Sequence, residues 1–218
     1  MVNQPLSEPA QDPVRHLFRA GNQDLAPILL LHGTGGDETE LIGLAELVAP
    51  DHPVLAIRGR VNENGMNRYF NRFALGDFDL ESLEEESTWL LAEIRRLAAH
   101  YQLDLTKMIV MGYSNGANIG LHIYMSRSTD FAGVVGLHAM QLTSVTDDLQ
   151  NLTGQRVFLS FGEHDQIVSE NNFNQLKENL ERSGCQLTIF QNAGGHHLTQ
   201  AEVNAVKEWF DTTTKDKD

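Results

Sequence analysis

Short apolar runs recur along this chain with longer amphipathic stretches between them, and that alternation restricts the fold more than any other feature. The runs are Pro27 to His32, Val54 to Arg58, Met108 to Tyr113, Val134 to Leu137, Val157 to Phe161 and Leu187 to Gln191. Each has the length and composition of a strand buried on both faces. Helices are predicted at Glu38 to Val48, Glu81 to Tyr101, Asn115 to Ser126, Ser169 to Ser183 and Thr199 to Phe210. In the second of these, Leu83, Leu90, Leu91, Ile94, Leu97 and Ala98 form an apolar stripe, with Glu84, Glu85, Glu93, Arg95 and Arg96 mostly away from it. Strands alternating with helices build a parallel sheet, because each crossover must carry the chain back over a sheet face. The expected fold class is α/β: a doubly wound, mostly parallel sheet with helices on both faces. An edge strand around Val14 to Ala20 would complete it.

The 218 residues suit one domain with a sizeable core, spanning 1–218, with poorly ordered tails expected at 1–12 and 212–218. Acidic residues outnumber basic ones 30 to 16, a formal charge of -14 that argues against nucleic acid or an anionic membrane as partner. No apolar run has the length of a membrane span and the first residues lack a signal-peptide core, so a cytoplasmic protein is expected. The single Cys185 excludes an internal disulfide and fits a reducing compartment; it reads as a packed thiol, not a nucleophile.

Two segments break the alternation. Gly59 to Asp79 is predicted to be a long irregular connection, and loops of that length are usually functional or disordered; its Tyr69, Phe70, Phe73 and Phe78 argue against disorder. His138 to Thr153 joins two predicted strands and could form a pocket wall.

The chemistry-bearing pattern is Gly112-Tyr113-Ser114-Asn115-Gly116, which follows the apolar run Met108 to Met111 and opens a helical stretch. A serine at a strand-to-helix turn holds its hydroxyl above the sheet, and glycines two positions to either side remove colliding side chains. Such a nucleophile needs a base, an acid to orient it, and donors for the oxyanion. Asp165, in Phe161-Gly162-Glu163-His164-Asp165, is the candidate acid, with Glu163 as its substitute. Gly194-Gly195-His196-His197 supplies the base: His196 directly follows the glycine pair and is preferred over His197. All three types fall at strand ends on one sheet edge, where such folds bind ligands. The glycine-rich turn after Leu31, His32-Gly33-Thr34-Gly35-Gly36, can aim backbone N–H groups into a cleft, with Thr34 and Asn115 as oxyanion donors. No phosphate-binding glycine signature and no H-E-x-x-H pair occurs, so neither a metal nor a cofactor is expected.

With those residues in place the chain resembles the α/β-hydrolase superfamily, within it the small carboxylesterase/phospholipase group related to acyl-protein thioesterases. His32 to Glu38, Arg58 to Phe70 (RGRVNENGMNRYF) and Gly112 to Asn118 look like bacterial carboxylesterases often grouped with hydroquinone- and quinone-responsive genes. The resemblance implies Ser114, Asp165 and His196 as nucleophile, acid and base, and Thr34 and Asn115 as oxyanion donors. It also implies that Arg58 to Arg72 borders a pocket for the acyl or alcohol group, through apolar Met66, Tyr69 and Phe70 and polar Arg60 and Arg68. The alternative is a loop pinned to the body by Tyr69 and Phe70, with Arg68 paired to Glu63. The expected activity is hydrolysis of small carboxylic esters through an acyl-enzyme. With little chain left for a large lid domain, an open site favouring short acyl groups is expected. The same machinery would serve thioester or lysophospholipid hydrolysis, and a non-catalytic ligand-binding module is the remaining rival. Relatives often dimerise, which leaves a homodimer open.

Overall fold

A computed structural model of the protein describes residues 14–142 and 149–215. The strands are β1 (His16–Arg19), β2 (Ile28–Leu31), β3 (Val54–Ile57), β4 (Val61–Glu63), β5 (Met66–Arg68), β6 (Arg72–Ala74), β7 (Asp77–Phe78), β8 (Ile109–Tyr113), β9 (Gly133–Leu137), β10 (Arg156–Gly162) and β11 (Gln186–Asn192). The helices are α1 (Ile42–Val48), α2 (Leu80–Tyr101), α3 (Asn115–Ser126), α4 (Glu170–Arg182) and α5 (Gln200–Lys215).

Seven strands form one sheet in the order β1-β3-β2-β8-β9-β10-β11. Only β1 runs antiparallel to its neighbour; the other pairings are parallel. The chain leaves β2 toward β3 on one side and later returns as β8 on the other. The crevice beyond the carboxyl ends of β2 and β8 is therefore a topological switch point, the place where open α/β sheets bind ligands.

Strand periodicity divides the core into two layers. Leu29, Leu31, Leu55, Ile57 and Val110 face one layer, with Leu90 and Ile94 of α2, Ile119 of α3 and Phe173 and Leu176 of α4. Ile28, Leu30, Val54, Ala56, Ile109 and Met111 face the other, with Leu44 and Val48 of α1 and Val206 and Phe210 of α5. This is the doubly wound arrangement expected of apolar runs that cannot expose either face. The stripe read in α2, from Leu83 to Ala98, is buried throughout. Among the described residues no helix is long and apolar enough to cross a membrane.

Three expectations change. The first helix begins at Ile42, not Glu38, because the residues before it make other bonds: Asp37 Oδ1 accepts from the Thr39 N–H at 2.8 Å, Glu38 pairs with Arg58, and Glu40 accepts from the Gly33 N–H. The last helix continues past Phe210 to Lys215. The third change is Gly59 to Asp79, which is two hairpins, β4–β5 and β6–β7. Asn64 and Gly65 both have positive φ, 52° and 90°, as a two-residue type I′ turn requires. Between the hairpins, Tyr69 and Phe70 are fully buried and anchor the excursion to the body. The tail expected at 1–12, residues 216–218 of the tail expected at 212–218 and residues 143–148 of the expected pocket wall lie outside the described residues.

Candidate active site

Ser114 stands between β8 and α3 with φ 49° and ψ -111°, a conformation that is strained for a residue with a side chain. The flanking glycines make the turn possible. A Cβ on Gly116 would lie 2.1 Å from the Leu31 carbonyl oxygen, and one on Gly112 2.5 Å from the Ala117 nitrogen. Ser114 donates its N–H to the Leu137 carbonyl at 2.8 Å, which ties the elbow to β9.

His196 reaches Ser114 from the loop after β11. Its Nε2 lies 2.9 Å from the Ser114 Oγ, and its Nδ1 2.7 Å from Asp165 Oδ2. The network assigns the proton to Nδ1, since a carboxylate only accepts; Nε2 is then free to accept from the serine hydroxyl. The β10 and β11 loops approach so closely that a Cβ on Gly162 would meet the Gly194 and Gly195 carbonyl oxygens at 2.5 Å. The Tyr113 hydroxyl donates to the His196 carbonyl at 2.9 Å and fixes that loop from below. His197 is exposed, as are Glu163 and His164, and none of the three enters this network.

Asp165 is saturated. Oδ1 accepts from the N–H groups of Ile167 and Val168 at 2.8 and 2.9 Å, and Oδ2 accepts from two histidine rings, His196 and His138. Burial alone would raise its pKa. The Val168 N–H, His196 and the Ile167 N–H outweigh that and hold the carboxyl below the usual range.

His138 is the member of this network that sequence reading did not single out. Its side chain is wholly buried, with Nδ1 3.1 Å from Asp165 Oδ2 and Nε2 3.4 Å from Glu202 Oε2. Burial pushes its pKa down, but Glu202 and Asp165 together raise it above the ordinary histidine value. Glu202 comes from the first turn of α5, where it forms a capping box: Thr199 Oγ1 accepts the Glu202 N–H, and Glu202 Oε2 accepts the Thr199 N–H. The sequence cue for His138 is slight: it directly follows an apolar strand, at the same sheet edge as Thr34 and Ser114, and its positive φ of 51° is seen only in the structure. The ligand-capable atoms of His138, Asp165 and His196 lie within 4.8 Å of one another, and the hydrogen bonds of the network already engage them.

The glycine-rich turn after β2 is held from several sides. Glu40 accepts from the Gly33 N–H at 2.6 Å, Gly35 donates to the Asn67 carbonyl, and the Asn67 amide donates to the Gly36 carbonyl. Among the described residues no acceptor engages the Thr34 N–H. The Asn115 N–H opens α3 and has no intrahelical partner. Both are available to an oxyanion above Ser114. His32 beside them is structural: Nδ1 donates to the Gly33 carbonyl, Nε2 accepts the Gly59 N–H, and burial lowers its pKa.

The cleft over Ser114 is narrow, with a volume of about 30 Å3. Thr34, Asn115, His138 and His196 line it with Arg68, Arg72, Leu75, Phe78, Met140, Ile167 and Val168. Of the five residues read as substrate-binding candidates, only Arg68 belongs to it. Tyr69 and Phe70 are core residues; the Tyr69 hydroxyl donates to the Ile57 carbonyl and accepts the His32 N–H, which leaves it no face for a ligand. Arg60 lies in a separate depression, paired with Glu86 and 4.7 Å from the Trp89 ring centre. Met66 packs near Gly35 on the outer side of the turn. The arrangement fits the pinned-loop reading, Arg68–Glu63 contact at 3.6 Å included. The pocket-facing piece is the second hairpin, through Arg72, Leu75 and Phe78.

Comparison with known proteins points the same way. The family model for phospholipases and carboxylesterases matches residues 19–214. The putative hydrolase MhqD of Bacillus subtilis (strain 168) is 34% identical over 197 residues, 90% of this chain and 98% of that protein. YahD, solved with malic acid, superposes with a TM-score of 0.89 at 48% identity, over 92% of this chain and 99% of its own. A Bacillus cereus carboxylesterase gives 0.89 at 38% identity, over 92% and 95%.

Proposed function

The chain belongs to the phospholipase/carboxylesterase family and is an ester hydrolase, and from that premise we propose that it cleaves small carboxylic esters through an acyl-serine intermediate. The continuous hydrogen-bonded line from Ser114 Oγ through His196 to Asp165, 2.9 and 2.7 Å, carries this reading. In the first half-reaction the Ser114 oxygen attacks the ester carbonyl while His196 Nε2 takes its proton. Asp165 holds the ring in the required tautomer and stabilises the imidazolium. The Thr34 and Asn115 N–H groups meet the oxyanion, each such donor being worth about 3 to 4 kcal/mol of barrier. His196 returns the proton to the departing alcohol. Water then attacks the acyl carbon as His196 takes its proton, and His196 passes that proton to Ser114 Oγ as the acyl–oxygen bond breaks and the acid leaves.

The small cleft supports short acyl groups. The malic acid solved with YahD is a compact carboxylic acid, in keeping with a short acyl group here. The test is Ser114→Ala, which should lower turnover by about four orders of magnitude or more with an unchanged melting temperature. It should also abolish labelling by a fluorophosphonate probe. His196→Ala should match it, whereas His197→Ala should retain most activity; equal losses would overturn the assignment of the base.

A further inference from the structure

Charge in the cleft is lopsided. Arg68 and Arg72 line it, and among the described residues no carboxylate does. In a protein of formal charge -14 this is a local inversion. The nearest counter-charge is Glu63, which Arg72 engages: Nε donates to Oε1 at 3.0 Å, and Nη2 lies 3.0 Å from Oε2, an oxygen that accepts no hydrogen bond among the described residues. Arg68 is left with one longer approach to the same carboxylate, 3.6 Å, although only 2% of it is exposed. Its remaining bonds go to neutral acceptors: Nε to the Phe70 carbonyl at 3.1 Å, and Nη1 to the Thr34 hydroxyl at 2.8 Å. Among the described residues nothing accepts from Nη2. Burial and the neighbouring Arg72 both lower the pKa of this guanidinium, so the fold keeps it charged at a disadvantage. A buried charge without a full partner is expensive to maintain, and a ligand anion would relieve it.

We propose that Arg68 receives a carboxylate on the acyl portion of the substrate, which makes the preferred substrates monoesters of short dicarboxylic acids. The inference rests on the esterase reading above and adds to it the chemical class of the acid.

Topology decides which portion of the ester meets Arg68. The leaving oxygen must face His196, which follows β11 at one margin of the sheet. Thr34 and Arg68 lie on the opposite side of Ser114, beyond β2. With the carbonyl oxygen between the Thr34 and Asn115 N–H groups, the alcohol points toward His196 and the acyl chain toward Arg68. The Thr34 hydroxyl touches Arg68, so the carboxylate can be only a few bonds from the scissile carbonyl. Charge-assisted pairing of a guanidinium with a carboxylate is the strong kind of hydrogen bond in such a site.

The experiment compares ethyl hydrogen succinate with its neutral isostere ethyl isocaproate, following acid release near neutral pH. Wild-type kcat/KM should favour the anionic ester by about tenfold or more, and Arg68→Met should bring the ratio to about one while Arg68→Lys keeps part of it. Should Arg68→Met fail to fold, the wild type still decides: succinate should inhibit hydrolysis of ethyl isocaproate well below the concentration at which succinamide does. A wild-type ratio at or below one, or equal inhibition by the two, overturns the inference. So does an unchanged ratio in a folded Arg68→Met protein that still labels with a fluorophosphonate. Absence of labelling and of turnover of either ester in the wild type overturns the esterase reading itself.

Discussion

Asp165 has no acceptor capacity to spare, and this ties two histidines of opposite character to one carboxylate. His196 must be neutral to accept a proton, while His138, between Asp165 and Glu202, is favoured in its charged form. The rings of His196 and Tyr113 are its other near neighbours, 5.2 and 6.0 Å away centre to centre. Because the folded pKa of His138 is raised, its contribution to stability is fully present below about pH 6.5 and is lost as the pH rises through the folded value. Asp165 works in the other direction: its pKa is lowered, so its contribution is present above about pH 4 and is lost as the pH falls through the folded value. Replacing His138 with Gln should therefore lower the melting temperature most in mildly acidic buffer, with the gap to wild type narrowing as the pH is raised above neutrality. Thermal melts across that range check this; a gap that widens with pH would sink it. Ser114, Asp165 and His196 were legible in the sequence as candidates because each sits beside glycines or a strand end in a recognisable order, and the fold brings their side chains together. His138 was not singled out because a single histidine after a strand carries no spacing signal, and its meaning comes from two carboxylates distant in sequence.

At the scale of elements, strands were legible where both faces are buried, since a run such as Leu29-Leu30-Leu31 has no solvent-facing alternative. The excursion from Gly59 to Asp79 was less so. Its hairpins are too short for periodicity to reveal, although Asn64-Gly65 was the local cue for the first. The pocket role of Tyr69 and Phe70 came from the resemblance alone, with a loop pinned by the same two residues as the alternative; they are the anchors, and they let the two hairpins differ in task. The first clamps the glycine-rich turn through Asn67, and the second borders the cleft. Asp79 joins the second hairpin to α2: its side chain accepts from the Ser82 N–H at 3.0 Å, and its own N–H donates to the Asn71 carbonyl. Asp79→Ala should cost about 1 kcal/mol, a fall of about 2 to 4 °C in a chain of this size. Calorimetry checks the value, and no change would show that the cap is dispensable.

Across the whole molecule, the sheet places Ser114 just after the central strand β8 and gathers Thr34, His138, Asp165 and His196 around it from the ends of β2, β9, β10 and β11. The described chain devotes no separate element to a deep acyl tunnel, and the walls of the cleft come from the second hairpin and from residues beside Met140 and Ile167. A series of p-nitrophenyl esters should accordingly be turned over fastest at short acyl lengths, with kcat/KM falling as the chain grows. A maximum at long chains would overturn the size argument. The α/β class and the layer assignment were readable because binary patterning is a property of the entire sequence; the depth of the cleft was not, because it depends on how a few side chains meet across loops.

His196 follows β11, which pairs only with β10 and leaves its other edge without a neighbour in the sheet, whereas Ser114 follows β8, held between β2 and β9. Marginal strands open more readily than interior ones. Peeling of that border would carry His196, the proposed base, away from an intact elbow, silencing the proposed chemistry while most of the core stayed folded, and reannealing would restore it. Loss of activity and loss of structure are thus separable events in this architecture, and the first is the more easily undone.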